Sequence, residues 1–401
     1  QVYGSIMLRM CRRSHGASTA NSEEITSGLR GMELVEGLQR IRTTEFLEVR
    51  SRELQDLRLQ LKKGEIRDHT FTIEMYNELL ALLTASFSWG PDAQADMDHV
   101  QQIFLGMLRT PEFDSTRLAA EVELPGELLW SLGSSCDGSA PQQYWPFLRD
   151  VLLWIYEHFT AKRVNVRSVI GRTLRSCSHY PNRNLPVAPL LQVLLPIIRG
   201  FRTPLSDVHR ALFTEVLLPL HSPNGWLQWD RQTPLISMYH KELLQCIVLL
   251  LEKQPSLAGC CLEGVCSHLP QTREANTPKE VLLLHEISEI LKFLDANGLK
   301  KVLHVLQRHM VRLLESQNAQ PIQSVLQFWK DDHIADLFHG AAQQLIPILL
   351  PVLLRGGELF WNPTVNRMTS LVLEKLEKSH AELFAEVSEN LWGPGRKVPA
   401  F

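Results

Sequence analysis

Apolar residues recur along most of this chain at the three- and four-residue spacing of one helix face. Between Met238 and Lys253, the positions Leu243, Cys246, Ile247, Leu250 and Leu251 fall on a single wide stripe. Just before it, Ala211 to His221 is apolar over most of its circumference, the pattern of a helix held between two neighbours. Neither segment can bury its apolar surface alone, so each predicts a neighbour like itself, which is the logic of a repeat array. No convincing alternation of strand period appears.

The pattern is helical from about Gly31 nearly to the end. It predicts a long charged helix from Met32 to roughly Gly64. A second runs from Thr72 to Phe87, with Met75, Leu79, Leu80, Leu82 and Leu83 on its apolar side, and a third from Met97 to Arg109. Ser88 to Asp92 reads as a loop, Thr110-Pro111-Glu112-Phe113 as punctuation, and Gly133 to Gln142 as a Ser/Gly-rich break. In the second half, helix starts at Met238, Thr277, Asn318 and Asn362 are 39, 41 and 44 residues apart. Second helices are predicted near Leu257, Leu299 and His333. Two helices at a period of about 40 residues mark HEAT or armadillo arrays.

Thr277-Pro278-Lys279-Glu280 has the form of a capping box with proline at the first helical position, and Asn362-Pro363 that of an N-cap followed by proline. Pro196, Pro219, Pro347 and Pro351 fall inside apolar helices and are expected to kink them. The predicted architecture is all-α, a right-handed α-solenoid of HEAT/armadillo-like helix pairs over residues 31–392. A disordered or tail segment, 1–30, precedes it and a tail, 393–401, follows it. The insertion at 223–235 breaks the rhythm. Asn224-Gly225 signals a turn, and Trp226 and Trp229 either form a partner-binding knob or pack back on the ridge.

Composition narrows the functions open to such an array. With 401 residues, 44% of them hydrophobic, the chain can bury a large core. A formal charge of -3 gives no basic excess for nucleic acid. The apolar run from Leu345 to Leu354 is too short, and too interrupted by proline, to span a bilayer. Seven cysteines with scattered spacing suggest no disulfide framework, and a cytoplasmic or nuclear setting is expected. The chain opens on Gln1, so its natural N-terminus is expected upstream. The acid-free stretch from Met7 to Ser18 suits a disordered tail better than a transit segment.

Chemistry is sparse. Cys260, Cys261, Cys266 and His268 are the nearest thing to a zinc set, but adjacent helical positions diverge by about 100°, and buried small hydrophobes are the better reading. Asp331-Asp332-His333 reads as a capping cluster. There is no phosphate loop and no nucleophile elbow, so neither an enzyme, a metal nor a cofactor is expected. An α-solenoid adaptor that binds a helix or peptide would satisfy every feature so far.

The order of several segments adds a resemblance. Val216-Leu217-Leu218-Pro219-Leu220-His221 is followed by Tyr239-His240, Leu251-Glu252-Lys253, Thr277-Pro278-Lys279-Glu280-Val281 and Glu286-Ile287-Ser288-Glu289-Ile290-Leu291. Phe328-Trp329, His333-Ile334, Ile346-Pro347-Ile348-Leu349-Leu350-Pro351 and Phe360-Trp361-Asn362 complete the series. In this the chain resembles the B-prime regulatory subunits of protein phosphatase type 2A, from about Tyr144 to Val387, with Phe104 to Phe113 as an earlier patch.

The resemblance implies a non-catalytic subunit that docks on the phosphatase scaffold and catalytic subunits. It also implies recruitment of phosphoprotein substrates or adaptors through a Leu-x-x-Ile-x-Glu motif. The corresponding groove residues would be Tyr156, Arg163, Val193, Ile197 and His209, although Tyr156, Val193 and Ile197 suit an inter-helix core equally well. Where the family has an adjacent His-Arg pair for the motif's glutamate, this chain has Leu153-Trp154, and Ser206 replaces a lysine. Motif recognition is therefore expected to be weakened, altered or lost. Pro278, Lys279, Glu280, Trp329, Asp331 and Asp332 fall on helix connections that would face the catalytic subunit, if they are not simply caps and solvated charge.

Overall fold

The computed structural model describes residues 23–63, 72–87, 89, 91–108, 145–179, 187–227, 230, 232–270, 276–359 and 362–392. Helices occupy nearly all of them. Among the described residues there is no strand, and the one pairing of that kind is an isolated bridge between Trp226 and Pro234. The all-α expectation holds. Most of 1–30, the break at 133–142 and the tail 393–401 lie outside the described residues.

Contacts divide the described parts of Gln1–Leu132 with Trp154–Arg163 from those of Gly133–Leu153 with Val164–Phe401. The first unit contains α1 (Glu23–Thr43), α2 (Leu47–Lys63), α3 (Ile73–Ser86) and α4 (Gln94–Leu108). Here α1 packs on α3 and α2 on α4, so each helix meets the one two positions along. The single helix expected over 32–64 is in fact two. The Thr43 and Thr44 hydroxyls donate to the Gln39 and Arg40 carbonyls, at 2.8 and 2.6 Å, taking up acceptors at the end of α1. The expected helix at 72–87 begins as predicted, with the Thr72 hydroxyl accepting from the Met75 amide.

Two helices follow, α5 (Trp145–His158) and α6 (Arg163–His179), and the second unit continues with α7 (Val187–Arg199) and α8 (Asp207–Leu212). Next come α9 (His240–Lys253), α10 (Ala258–Ser267), α11 (Thr277–Leu291) and α12 (Ala296–Leu314). The last five are α13 (Ala319–Leu326), α14 (Asp332–His339), α15 (Ala342–Leu359), α16 (Pro363–Ser379) and α17 (Ala381–Trp392). One row of packed helices runs α7, α9, α11, α13, α16; the other runs from residues 218–221 through α10, α12 and α15 to α17. This is the predicted solenoid of helix pairs. The second helix expected near His333 is interrupted at Gly340-Ala341, where α14 and α15 meet at 105°. In α15, Ala342, Leu345, Ile346, Leu349, Leu350, Leu353 and Leu354 are buried at three- and four-residue spacing. No single described helix is long and apolar enough to cross a membrane.

Two local expectations need correction. The N-cap of α11 is Asn276 and not Thr277. The Asn276 carboxamide oxygen accepts from the Lys279 amide at 3.2 Å, while the Thr277 hydroxyl accepts from Asn318 Nδ2 at 2.6 Å and Glu280 turns away to Arg312. Beyond α8 the chain does not simply kink at Pro219. It widens into a π turn, Phe213–Leu217, and tightens into a 3-10 turn, Leu218–His221. A proline ring clashes with the carbonyl four residues earlier, here that of Glu215. The wider turn moves that carbonyl aside, and it accepts from Arg175 Nε at 3.4 Å.

Candidate functional site

The residues matched to a peptide groove fall in both units. In the first, Arg163 opens α6 and turns back on the end of α5. Its Nε donates to the Tyr156 carbonyl at 2.8 Å, and its guanidinium lies 5.1 Å from the centre of the Tyr156 ring. A cation placed on the last carbonyls of a helix is favoured by the dipole there. Trp154, which the resemblance matches to a cationic position, is buried. Its ring meets Phe104 edge-on at 5.4 Å and Phe159 at 5.7 Å. An aromatic cluster of this kind stabilises the core and presents no charge to a carboxylate.

In the second unit, Val193 and Ile197 lie on the buried face of α7. His209 stacks flat on Phe201, ring centres 3.6 Å apart, and burial with the nearby Arg167 lowers its pKa. Ser206 is exposed and makes no side-chain cap bond.

The six residues on helix connections are mostly spoken for within the fold. Lys279, read as solvated charge, is only 1% exposed. Its ammonium donates to Asn224 Oδ1 at 2.9 Å and to the Ser222 carbonyl at 3.3 Å. The reason is the insertion, which lies over the start of α11 and supplies acceptors that replace water. Glu280 pairs with Arg312 at 3.2 Å, and burial raises its pKa. Pro278 sits half-buried in the first turn of α11. Trp329 is buried against Phe338, and its carbonyl accepts from Lys375 Nζ at 2.8 Å. Asp331 caps α14 through the Ile334 amide, as expected of a capping residue, and stands 3.7 Å from Lys292. Asp332 is exposed at the rim of a cleft of about 490 Å³ that Asp336, His339, Lys375 and His380 also line.

The insertion is tied at both ends. The Leu227 amide donates to the Thr233 carbonyl at 3.0 Å, and the Leu235 amide to the Gly225 carbonyl at 2.9 Å. A Cβ at Gly225 would stand 2.8 Å from Leu235 Cδ1, so a larger residue there would push that side chain aside. Trp226 is half-buried beside its bridge to Pro234, whereas Trp229 lies outside the described residues. Of the cysteine group, Cys261 and Cys266 are buried and Cys260 is exposed, so the neighbours diverge as helical spacing demands. Burial drives the Cys261 thiol well above its ordinary pKa and the Cys266 thiol up to about 12.

The most ordered polar chemistry is one that sequence reasoning did not single out. Glu286, on the inner face of α11, is fully buried. One carboxylate oxygen lies 3.0 Å from His221 Nε2 and the other 3.0 Å from His240 Nε2. His221 ends the 3-10 turn and His240 begins α9, so one carboxylate joins three segments. The opposite nitrogen of His221 lies 2.8 Å from the Leu218 carbonyl, and its ring faces that of His268 at 6.2 Å. Tyr239 strengthens the junction by donating to the Leu220 carbonyl at 2.9 Å. His221, His240 and Glu286 all stand in segments that carry the family resemblance, but nothing in their spacing joins them.

A sequence model of a family described as protein phosphatase 2A regulatory B subunit (B56 family) matches residues 96–393. A 56 kDa regulatory subunit delta isoform of serine/threonine-protein phosphatase 2A from Oryctolagus cuniculus is 28% identical over 302 residues, covering 75% of this chain and 49% of the relative. The regulatory subunit pptr-1 of Caenorhabditis elegans is 28% identical over 306 residues, 76% of this chain and 54% of the relative. A 55 kDa B' delta isoform from Arabidopsis thaliana is 29% identical over 240 residues, 60% and 48%. The chain thus spans about half the length of these relatives.

Proposed function

This chain belongs to the B56 family of protein phosphatase 2A regulatory B subunits, and from that premise we propose that it acts as a non-catalytic regulatory subunit, docking on the phosphatase scaffold and catalytic subunits and directing substrate choice. The observation that carries the proposal is the family match over residues 96–393, which takes in every described helix pair of the second unit. The internal pairing of Lys279, Glu280 and Asp331 supports it, because side chains that hold one another fix the shape a binding surface needs.

Affinity purification from the native source, with identification of the bound proteins, tests this reading. The scaffold and the metal-dependent catalytic subunit are the expected companions; recovery of other proteins without either would overturn it.

The same reading extends to a Leu-x-x-Ile-x-Glu peptide, for which the resemblance calls for cations where this chain has Leu153-Trp154 and Ser206. A glutamate of a Leu-x-x-Ile-x-Glu peptide needs a charge-assisted partner, such as a bidentate arginine, to offset its desolvation. Trp154 is committed to Phe104 and Phe159 instead. Titration of a labelled Leu-x-x-Ile-x-Glu peptide and its Glu→Ala variant should show no difference between the two. Micromolar binding that depends on the glutamate would contradict the proposed loss.

A further inference from the structure

Hydrogen positions at the Glu286 junction are dictated by what each atom can do. The Leu218 carbonyl only accepts, so His221 Nδ1, at 2.8 Å, carries a hydrogen. An ionised carboxylate also only accepts, so His221 Nε2, at 3.0 Å from Glu286, carries one as well. A ring with both hydrogens is an imidazolium. Should Glu286 carry the hydrogen and donate it to a neutral ring, the number of protons is the same. His240 needs nothing extra, since its Nε2–H tautomer satisfies the second carboxylate oxygen. We propose that this junction holds one resident proton, shared by His221 and Glu286, which latches residues 218–221, α9 and α11 together and is released at alkaline pH.

The surrounding charges are consistent with that state. Burial alone would disfavour the charged ring, but the adjacent Glu286 carboxylate overrides it and raises the His221 pKa. Burial likewise opposes the Glu286 charge, yet His221 and His240 hold its carboxyl down to about 2. From the α10 side, His268 is kept neutral, its pKa lowered to about 4 by burial and then by His221 and Lys279. Cys261 on α10 stays a thiol, raised first by burial and then by Glu286. From α11 the Lys279 cation works against the His221 charge. One anion thus answers the imidazolium directly. When the proton leaves, the buried bond from His221 to either the Leu218 carbonyl or a Glu286 oxygen is lost.

Nuclear magnetic resonance of the full chain with ring-nitrogen-labelled histidine, compared with a His221→Gln variant to assign the signal, reads this directly. At about pH 8, above the ordinary histidine value of about 6.5, His221 should retain both ring protons while exposed histidines have lost one. A neutral His221 at that pH, with no proton shared to Glu286, would overturn the proposal. The Glu286→Gln variant gives a second reading. Its carboxamide accepts from His240 and donates to a neutral His221, keeping the shape without the proton. In urea unfolding, the wild-type folding constant should fall about tenfold per pH unit between the unfolded and folded values of His221, because the native state there binds one more proton. That dependence should vanish in Glu286→Gln, and an equal slope in both proteins would refute the latch. If the variant does not fold, the ring resonances of the wild type decide alone.

Discussion

Each unit of this protein contains a buried carboxylate that ties helices together, and the two differ in the donor they use. In the first, Asp96 of α4 accepts from Arg50 Nε of α2 at 2.8 Å and from the Ser51 hydroxyl, while the Arg50 guanidinium lies 4.1 Å over the Trp89 ring. In the second, Glu286 accepts from two histidines. A guanidinium holds its charge at any pH a protein survives, whereas imidazole titrates within the physiological range. The same staple is permanent in one place and conditional in the other. Burial makes both necessary: a carboxylate without partners in the core costs several kcal/mol.

The comparison is broken most severely by removing each carboxylate in turn. Glu286→Ala leaves one buried ring nitrogen of His221 and one of His240 without its partner. A loss of about 3–5 kcal/mol in urea unfolding is expected. Asp96→Ala should cost less, about 3 kcal/mol, because Arg50 keeps its aromatic contact and its side chain retains some access to water. The difference between wild type and Asp96→Ala should also stay constant from neutral to mildly alkaline pH, while that between wild type and Glu286→Ala shrinks. Parallel behaviour of the two variants would dissolve the distinction.

Acid sharpens it from the other side. His268 and His309 have pKa values lowered to about 4, chiefly by burial. Between about 4 and about 6.5 the unfolded chain therefore binds protons that the native state refuses, and stability falls as pH falls. Both rings keep some solvent access, so the expected loss is about 1 kcal/mol each. A urea midpoint unchanged across that window would count against neutral, buried rings. The smallest effect is expected far from both staples. Asn362 caps α16 by accepting from the Thr364 and Val365 amides, and Asn362→Ala should cost about 1 kcal/mol at every pH.

How much of this could be read from the chain follows from what each signal measures. Helix faces are visible because burial imposes a period on neighbouring residues, so α9 and the Asn362 cap appear in sequence much as they do in the structure. The division of α1 from α2 is hidden, because charged residues continue through Thr43 and Thr44 and only the hydroxyl bonds mark the end. The π turn is hidden for a related reason: proline announces a disturbance but not how the backbone absorbs it.

Lys279 looks like a surface cation until the insertion is folded over it. His221, His240 and Glu286 are too far apart in sequence for any periodicity to join them, and only helix packing brings them within 3.0 Å. The absence of a cation at Leu153-Trp154 is visible in the sequence, but the aromatic packing of Trp154 is not.

The central claim, that this family member assembles with the phosphatase and does not itself catalyse, is tested most directly by reconstitution. The purified chain, mixed with the phosphatase 2A scaffold and catalytic subunits, should sediment as one complex containing all three, and the chain alone should hydrolyse no phosphopeptide. A mixture in which it sediments apart from the other two, or a chain that hydrolyses phosphopeptide alone, would contradict the account.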